Sequence, residues 1–312
     1  MKTPFRVRVP ASSANLGSGF DTVGLGLALY NDYEILDLLP EGEFVIDVIG
    51  EGSGELQNPQ ANLVVKSYLR ACSEWGTASP GLSLRSVNAI PLCRGLGSSA
   101  GAVVGGVLIA NALRDRPLPR EELLPLMTAI EGHPDNIVPC CLGGMVVSCW
   151  DGRELRHVRL RSLPREIVTV VAVPEVRVST STARAALPEQ VSLQDAVFNV
   201  GRVALFAASW AMGRWEELPW AMDDRLHQQF RAKLFPGGET ILEKVRLHRE
   251  CLGVAISGSG PSVLAFVKGN PQAVASTMCR VFSDHGVRSR FFVLDVDDEG
   301  AQVLSLVPEE VL

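Results

Sequence analysis

Residues 91–101 read PLCRGLGSSAG, and the run that follows them, AVVGGVLIANAL at 102–113, is small and apolar. The small run predicts a helix, with the glycines and serines at its N-terminal join. A helix N-terminus exposes unpaired N–H groups and carries partial positive charge. Phosphate oxygens bind at such ends. Glycine permits positive φ and close backbone approach, so Gly95-Leu96-Gly97 followed by Ser98-Ser99 suits a phosphate cradle. On this reading the serines cap the helix, and one hydroxyl is available to a metal ion that accompanies a nucleotide. Ala100, Gly101, Ala102, Gly105 and Gly106 would let the helix pack close to a neighbour. The bland alternative is a glycine turn with a serine cap and no ligand. No GxxxxGK[ST] loop occurs in the chain. The dinucleotide fingerprint GxGxxG/A is matched by Gly95, Gly97 and Ala100 in form only. PLCR separates the glycines from the preceding strand, and RDRPLPREELL follows where a second strand ending in an acid belongs.

Outward from this join, FRVRVPAS, EFVIDVIG and LSLRSV alternate apolar and polar residues as half-buried strands do. Residues 61–75 carry apolar side chains at helical spacing, and residues 120–130 form a second helical pattern in which Pro125 predicts a kink or early break. GGMVVSCW and ELRHVRL suggest a strand pair. The second half opens on IVTVVAV, a buried strand by its β-branched content. A long helix at 193–212 follows, then a helix around 240–251, the strand GVAIS, a turn GSGP and the strand SVLAFV. A helix at 272–282 and the strand RFFVLDV complete the order. Strands and helices alternating in this half predict a split βαβ layer. The segment WDGRELRHVRLRSLPRE, near 150–166, marks the expected boundary between two domains.

The 312 residues can bury a sizeable core, and a net charge of −6 offers no basic face for a nucleic acid. No apolar stretch is long and uninterrupted enough to span a bilayer, and MKTPFRVRVP has no apolar leader segment. Seven cysteines, an odd number without a CxxC pair, fit a reduced cytoplasm. The expected partners are small molecules, with no nucleic acid and no membrane.

PLCRGLGSSAG resembles the phosphate-binding motif of the GHMP small-molecule kinases. Two further motifs resemble that family in the same order: PASSANLGSGFDTVGLGLAL at 10–29 and GVAISGSGPS at 253–262. Within the family the details are similar to the homoserine kinases: SANLGSGFDTVGLGL, EGHPDNIVPCCLGG at 131–144, STSTARAALP at 179–188, and DDRLHQQFRAKLFPG. In the last of these, Gln229-Phe230 stands where Pro-Tyr is commoner. Mevalonate kinases usually carry an aspartate where this chain has Asn136, together with a lysine in the first motif that is not found here.

The resemblance implies an α+β chain with the two-domain GHMP kinase fold. An N-terminal ribosomal-protein-S5-like α/β domain would cover residues 1–160, and a C-terminal ferredoxin-like α+β sandwich residues 161–312. It implies ATP and Mg²⁺ as cofactors, a homodimer, and transfer of the γ-phosphoryl group of ATP to the hydroxyl of L-homoserine, on the route to threonine. Another alcohol acceptor, such as mevalonate or a sugar, and a ligand-sensing protein without catalysis are the rival readings. Pro91, Leu92, Cys93, Arg94, Gly95, Leu96, Gly97, Ser98, Ser99, Ala100 and Gly101 would hold the nucleotide, with Ser99 and Glu131 as metal ligands. Asn15, Asp21, Asn136 and Thr180 are the candidate catalytic residues. Thr180 is alternatively a cap for a short helix at 182–186. Asn15, Asp21, His133, Asp135, Asn136, Arg184, Arg231 and Gly260 are expected around an amino-acid substrate. Its ammonium calls for carboxylates and its carboxylate for planar guanidinium forks. Arg225 competes with Arg231 for the second fork. Asp21, paired with an ammonium, would bind substrate rather than act as a base.

Overall fold

The protein is described from a computed structural model, which covers residues 3–306. The first part of the chain forms β1 (Phe5–Asn15), β2 (Gly19–Leu39), β3 (Phe44–Gly50), α1 (Leu63–Trp75), β4 (Gly81–Asn88), α2 (Ser98–Ala112), α3 (Arg120–Glu131), α4 (Pro134–Leu142), β5 (Met145–Trp150) and β6 (Leu155–Arg159). The remainder forms β7 (Ile167–Pro174), α5 (Thr180–Ala185), α6 (Leu193–Met212), α7 (Leu218–Ala221), α8 (Gln228–Arg231), α9 (Gly238–Arg246), β8 (Cys251–Ile256), β9 (Val263–Lys268), α10 (Pro271–Asp284), β10 (Ser289–Leu294) and β11 (Gln302–Ser305).

Two sheets result. The first runs β11-β1-β2-β4-β3, with β5 and then β6 attached at the far end of β2, and only its β3–β4 pair is parallel. The second runs β10-β7-β9-β8 and is antiparallel throughout. The chain returns at its end, so that β11 pairs with β1 in the first sheet. Three apolar cores stack across the molecule. One lies between the first sheet and α1–α4. The second lies between the sheets, where Leu25 and Leu27 of β2 share a cluster with Val171, Leu264 and Phe266, closed at the side by Phe206 and Trp210 of α6. The third lies between the second sheet and α9 and α10.

The expected helix at 193–212 and the strands flanking the GSGP turn stand where the hydrophobic pattern placed them. α3 runs unbroken through Pro125. Pro125 and Glu121, whose carbonyl loses its helical partner, both lie on the exposed side of the helix, where water can serve that oxygen. α9 ends at Arg246, short of the expected 251, because Cys251 opens β8.

β2 was not legible as one strand, because TVGLGLAL is rich in glycine. Its alternation is nonetheless a strand's: Leu25 and Leu27 fill the core between the sheets, while Gly24 and Gly26 present a bare face to α4. A Cβ on Gly24 would sit 1.7 Å from the Asp135 carbonyl oxygen. This bare face seats the N-terminus of α4 against the sheet. Gly24→Ala is expected to destabilise the fold by about 3 kcal/mol or more, as overpacking against backbone does, measured by urea denaturation. Gly54, with nothing within 4 Å of its would-be Cβ, is the control, and Gly54→Ala should leave the midpoint unchanged.

Candidate active site

The glycine loop lies where the two sheets meet. Gly95 and Gly97 both have positive φ, at +71° and +70°. A Cβ on Gly95 would lie 2.0 Å from the carbonyl oxygen of Ser257, and one on Gly97 would lie 2.0 Å from Ser12 Oγ. The glycines are therefore required by the protein's own packing, and not only by the approach of an anion. Serine hydroxyls fasten the loop. Ser257 Oγ donates to the Gly95 carbonyl at 2.6 Å and meets Ser13 Oγ at 2.8 Å. Ser12 N donates to the Leu96 carbonyl at 3.2 Å, and Ser12 Oγ donates to Asn136 Oδ1 at 2.9 Å. Arg94 Nε donates to the Pro174 carbonyl at 2.9 Å, tying the loop to the end of β7.

Ser98 and Ser99 do not cap α2, contrary to the expectation. Gly97 is the N-cap, and no side chain bonds to the helix end. The first helical bond runs from Gly101 N to the Gly97 carbonyl, and among the described residues the amides of Ser98, Ser99 and Ala100 find no acceptor. Unpaired amides of this kind are the donors an anion needs. Behind them α2 is buried on nearly every side. Its Gly105 and Gly106 leave no room for a Cβ against the Tyr33 ring and the Val64 carbonyl, so the expected close packing is present, against α1 and the sheet.

The loop faces a cleft of about 330 Å³. One end is lined by Tyr33, Leu56, Asn62, Leu63, Val64, Ser86, Asn88 and Leu92, and the other by Asn15, Asp21, His133, Asp135, Asn136, Thr180, Arg184, Arg231, Gly258 and Ser259. At the polar end Arg184 clasps Asp21 with two parallel bonds, at 2.9 and 3.0 Å. Asn15 Oδ1 accepts from Asp21 N at 3.0 Å, and its Nδ2 donates to the Gly258 carbonyl at 2.9 Å. Asn15 and Asp21 hold φ values of +71° and +53°, a conformation that costs a non-glycine residue of order 1 kcal/mol or more. The strain sits in the turn that aims them into the cleft.

α4 brings in the HPDN residues. His133 stands at its N-cap position and meets Asp135 Oδ1 through Nδ1 at 2.6 Å. Burial alone would lower the His133 pKa, but the bond to Asp135 and the charges of Asp135 and Glu131 outweigh it and leave the pKa raised. Glu131 is raised by burial, which the hydrogen bond from Ser99 partly offsets. Arg231 is almost wholly buried, and desolvation pushes its pKa down despite the nearby Asp21. Its Nη1 donates to the Gly258 carbonyl at 2.9 Å, while its Nε has no partner. Arg184 is held upward by its bonds to Asp21.

Most of the expected site residues thus converge. Ala100 and Gly101 lie buried behind the loop rather than in the cleft, and Gly260 packs under Gly95 without lining it. Ser179, not Thr180, caps the short helix α5, which begins at Thr180 rather than at 182. Arg225 points to Asp195, at 3.4 Å, and Arg231 occupies the cleft. Sequence reasoning gave no role to Ser12, Ser13 and Ser257, which fasten the loop, or to the residues of the apolar end other than Leu92. The signal for Ser12 and Ser13 was hydroxyls flanked by apolar residues in a strand, at PASSAN, and for Ser257 a hydroxyl at the end of the apolar run GVAIS.

No cluster of three metal-ligating acids, histidines or cysteines occurs among the described residues. Ser99 Oγ donates to Glu131 Oε2 at 2.8 Å beside the open amides of α2. One carboxylate and one hydroxyl are hard oxygen donors of the number Mg²⁺ takes from a protein when phosphates supply the rest. No helix among the described residues is long and apolar enough to cross a membrane.

The chain matches the family model "GHMP kinases N terminal domain" over residues 62–144 and "GHMP kinases C terminal" over residues 207–284. It is 45% identical over 308 residues to a protein named homoserine kinase from Symbiobacterium thermophilum, covering 96% of this chain and 94% of that one. It is 41% identical over 299 residues to one of the same name from Moorella thermoacetica, covering 96% and 99%. The crystal structure of homoserine kinase from Cytophaga hutchinsonii superposes with a TM-score of 0.86 at 30% identity, covering 97% of this chain and 98% of that one. The chain belongs to the GHMP kinase family and has its two-domain α+β fold. Membership in a kinase family implies use of ATP.

The contact between Gly97 and Ser12 yields a direct test. Gly97→Ala should cost about 2 kcal/mol or more from the clash and the unfavourable φ. Adding Ser12→Ala removes the clashing oxygen, so the double variant should recover about 1 kcal/mol relative to the sum of the singles. Urea denaturation of the four proteins measures this coupling, and strict additivity would contradict the contact.

Proposed function

We propose that this protein transfers the γ-phosphoryl group of ATP to the side-chain hydroxyl of L-homoserine, giving O-phospho-L-homoserine. The observation that carries the reading is one cleft in which unpaired helix amides adjoin a matched set of acids and guanidiniums. The names of the relatives at 41% and 45% identity support it.

The amides of residues 98–100 and the N-terminal charge of α2 receive the phosphates. The end lined by Leu56, Leu63, Val64 and Leu92 accepts the base. Ser99 and Glu131 would hold Mg²⁺, which when bound neutralises charge on the phosphate oxygens. A zwitterionic amino acid fits the polar end by inserting into the Asp21–Arg184 pair. Its ammonium takes the carboxylate of Asp21, with Asp135 near, and its carboxylate takes Arg184 and the buried, under-bonded Arg231. One ion pair is thereby exchanged for two charge-assisted contacts. Asn15 uses both ends of its amide on the frame, so it positions Asp21. Asn136 accepts from Ser12 through Oδ1, and its amide nitrogen is left to donate toward the acceptor hydroxyl. Thr180, at the first turn of α5, faces the same place.

Among the described residues, no side chain in the cleft stands ready as a general base. Asp21 is bound by Arg184 and Asp135 by His133, and Asn136 cannot take a proton. A loose phosphoryl-transfer transition state asks mainly for alignment and charge stabilisation, which the parts described supply.

ATP consumption should depend on L-homoserine, with a phosphorylated amino acid as the product by mass. Mevalonate, galactose and shikimate should give none. Turnover of one of these instead would overturn the substrate. Arg184→Ala and Asp21→Asn should each raise KM for L-homoserine about ten- to a hundredfold, the worth of a lost charged hydrogen bond, with kcat changed far less. A collapse of kcat at unchanged KM would contradict the binding role of Asp21.

A further inference from the structure

His227 belongs to no part of the chemistry above, yet it is fully buried beside the cleft. It stands at the N-cap position of the four-residue helix α8, whose last residue is Arg231. Asp224 Oδ2 receives the backbone amides of His227 and Gln228 at 2.9 and 2.7 Å, which fixes the chain at this point. The ring Nε2 donates to the Gly17 carbonyl at 2.8 Å. Gly17 packs directly against the chain at Met222, with no room for a side chain: its would-be Cβ lies 2.0 Å from the Met222 carbonyl oxygen. With the proton on Nε2, Nδ1 is an acceptor, and it is buried without a partner among the described residues. Burial and the charge of Arg231 hold the ring's pKa down, against the pull of Asp224.

An orphaned ring nitrogen in a closed site is a cost, and a simpler apolar residue would avoid it. What the ring does in return is visible on its face. It stacks on Phe20, with centroids 5.2 Å apart and planes 26° apart. The Phe20 ring also carries both guanidiniums of the cleft's polar end, with Arg231 Cζ 5.1 Å and Arg184 Cζ 6.0 Å from its centroid. The next residue, Asp21, is the partner of Arg184. One ring stack therefore links the helix that carries Arg231 to the turn that carries Phe20 and Asp21.

We propose that His227 is a positioning residue for the acceptor's carboxylate: locked to Gly17 and stacked on Phe20, it sets the platform on which Arg184 and Arg231 are aligned. This rests on the reading of the acceptor as a carboxylate-bearing amino alcohol. Cation–π and stacking contacts of this kind support a change of about tenfold in affinity.

The test compares wild type with His227→Gln, which keeps a donor but loses the ring, His227→Phe, which keeps the ring but loses the bond to Gly17, and Phe20→Leu. The probes are L-homoserine and 3-aminopropan-1-ol, which keeps the hydroxyl and ammonium but lacks the carboxylate, read as an inhibitor. His227→Gln and Phe20→Leu should raise KM for L-homoserine about tenfold. KM for ATP and the inhibition constant of 3-aminopropan-1-ol should stay within about twofold. His227→Phe should regain only part of the loss, because the stack returns without the bond to Gly17. Equal weakening of all three ligands, or an unchanged KM for L-homoserine in Phe20→Leu, would overturn the proposal even if the Gln variant fails to fold. Wild type that does not turn over L-homoserine would overturn the functional reading itself, and this inference with it.

Discussion

The cleft is organised by two missing side-chain atoms. Gly95 and Gly97 let strand β1 and the β8–β9 turn press against the loop from both sides, where a Cβ at either position would overlap an oxygen at 2.0 Å. The Ser257 hydroxyl and the Ser12 backbone amide, one from each sheet, then fasten the Gly95 and Leu96 carbonyls. The result is a loop whose carbonyls are bonded inward and whose helix-end amides are left open. The absence of a capping side chain at Gly97, which would be a defect in an ordinary helix, is what keeps those donors available.

Charge at the other end of the cleft is arranged on the same principle. The acids and guanidiniums there hold one another or the backbone. Asp21 and Arg184 pair across the gap, Asp135 holds His133, and Arg231 leans on a carbonyl with one nitrogen unserved. Buried charge needs such partners, and their geometry keeps opposite signs side by side at this end of the cleft. The overall charge of −6 says nothing about this local pairing.

Much of the site was legible in the chain because its chemistry is local. The glycine loop with its helix, the HPDN turn and Asp21 each occupy a few consecutive residues. Arg184 and Arg231 were named from the substrate's chemistry, and the fold brings them together from α5 and α8. What could not be read depends on contacts between distant segments. The roles of Ser12, Ser13 and Ser257 exist only once two sheets meet, and β2 hid behind glycines whose purpose is the seating of α4. The choice between Arg231 and Arg225 needed three dimensions, as did the finding that Ser98 and Ser99 leave the helix uncapped. The apolar slot beyond the loop draws on β2, α1, β4 and the segment before α1, and no single stretch announces it.

The most direct test of the account is the response of the backbone amides at 98–100 to nucleotide. An amide-resolved NMR titration with a non-hydrolysable ATP analogue and Mg²⁺ should move the Ser98, Ser99 and Ala100 N–H signals downfield and slow their exchange with water, as phosphate oxygens take the open donors. Saturable binding of the analogue with those three signals unmoved would contradict it.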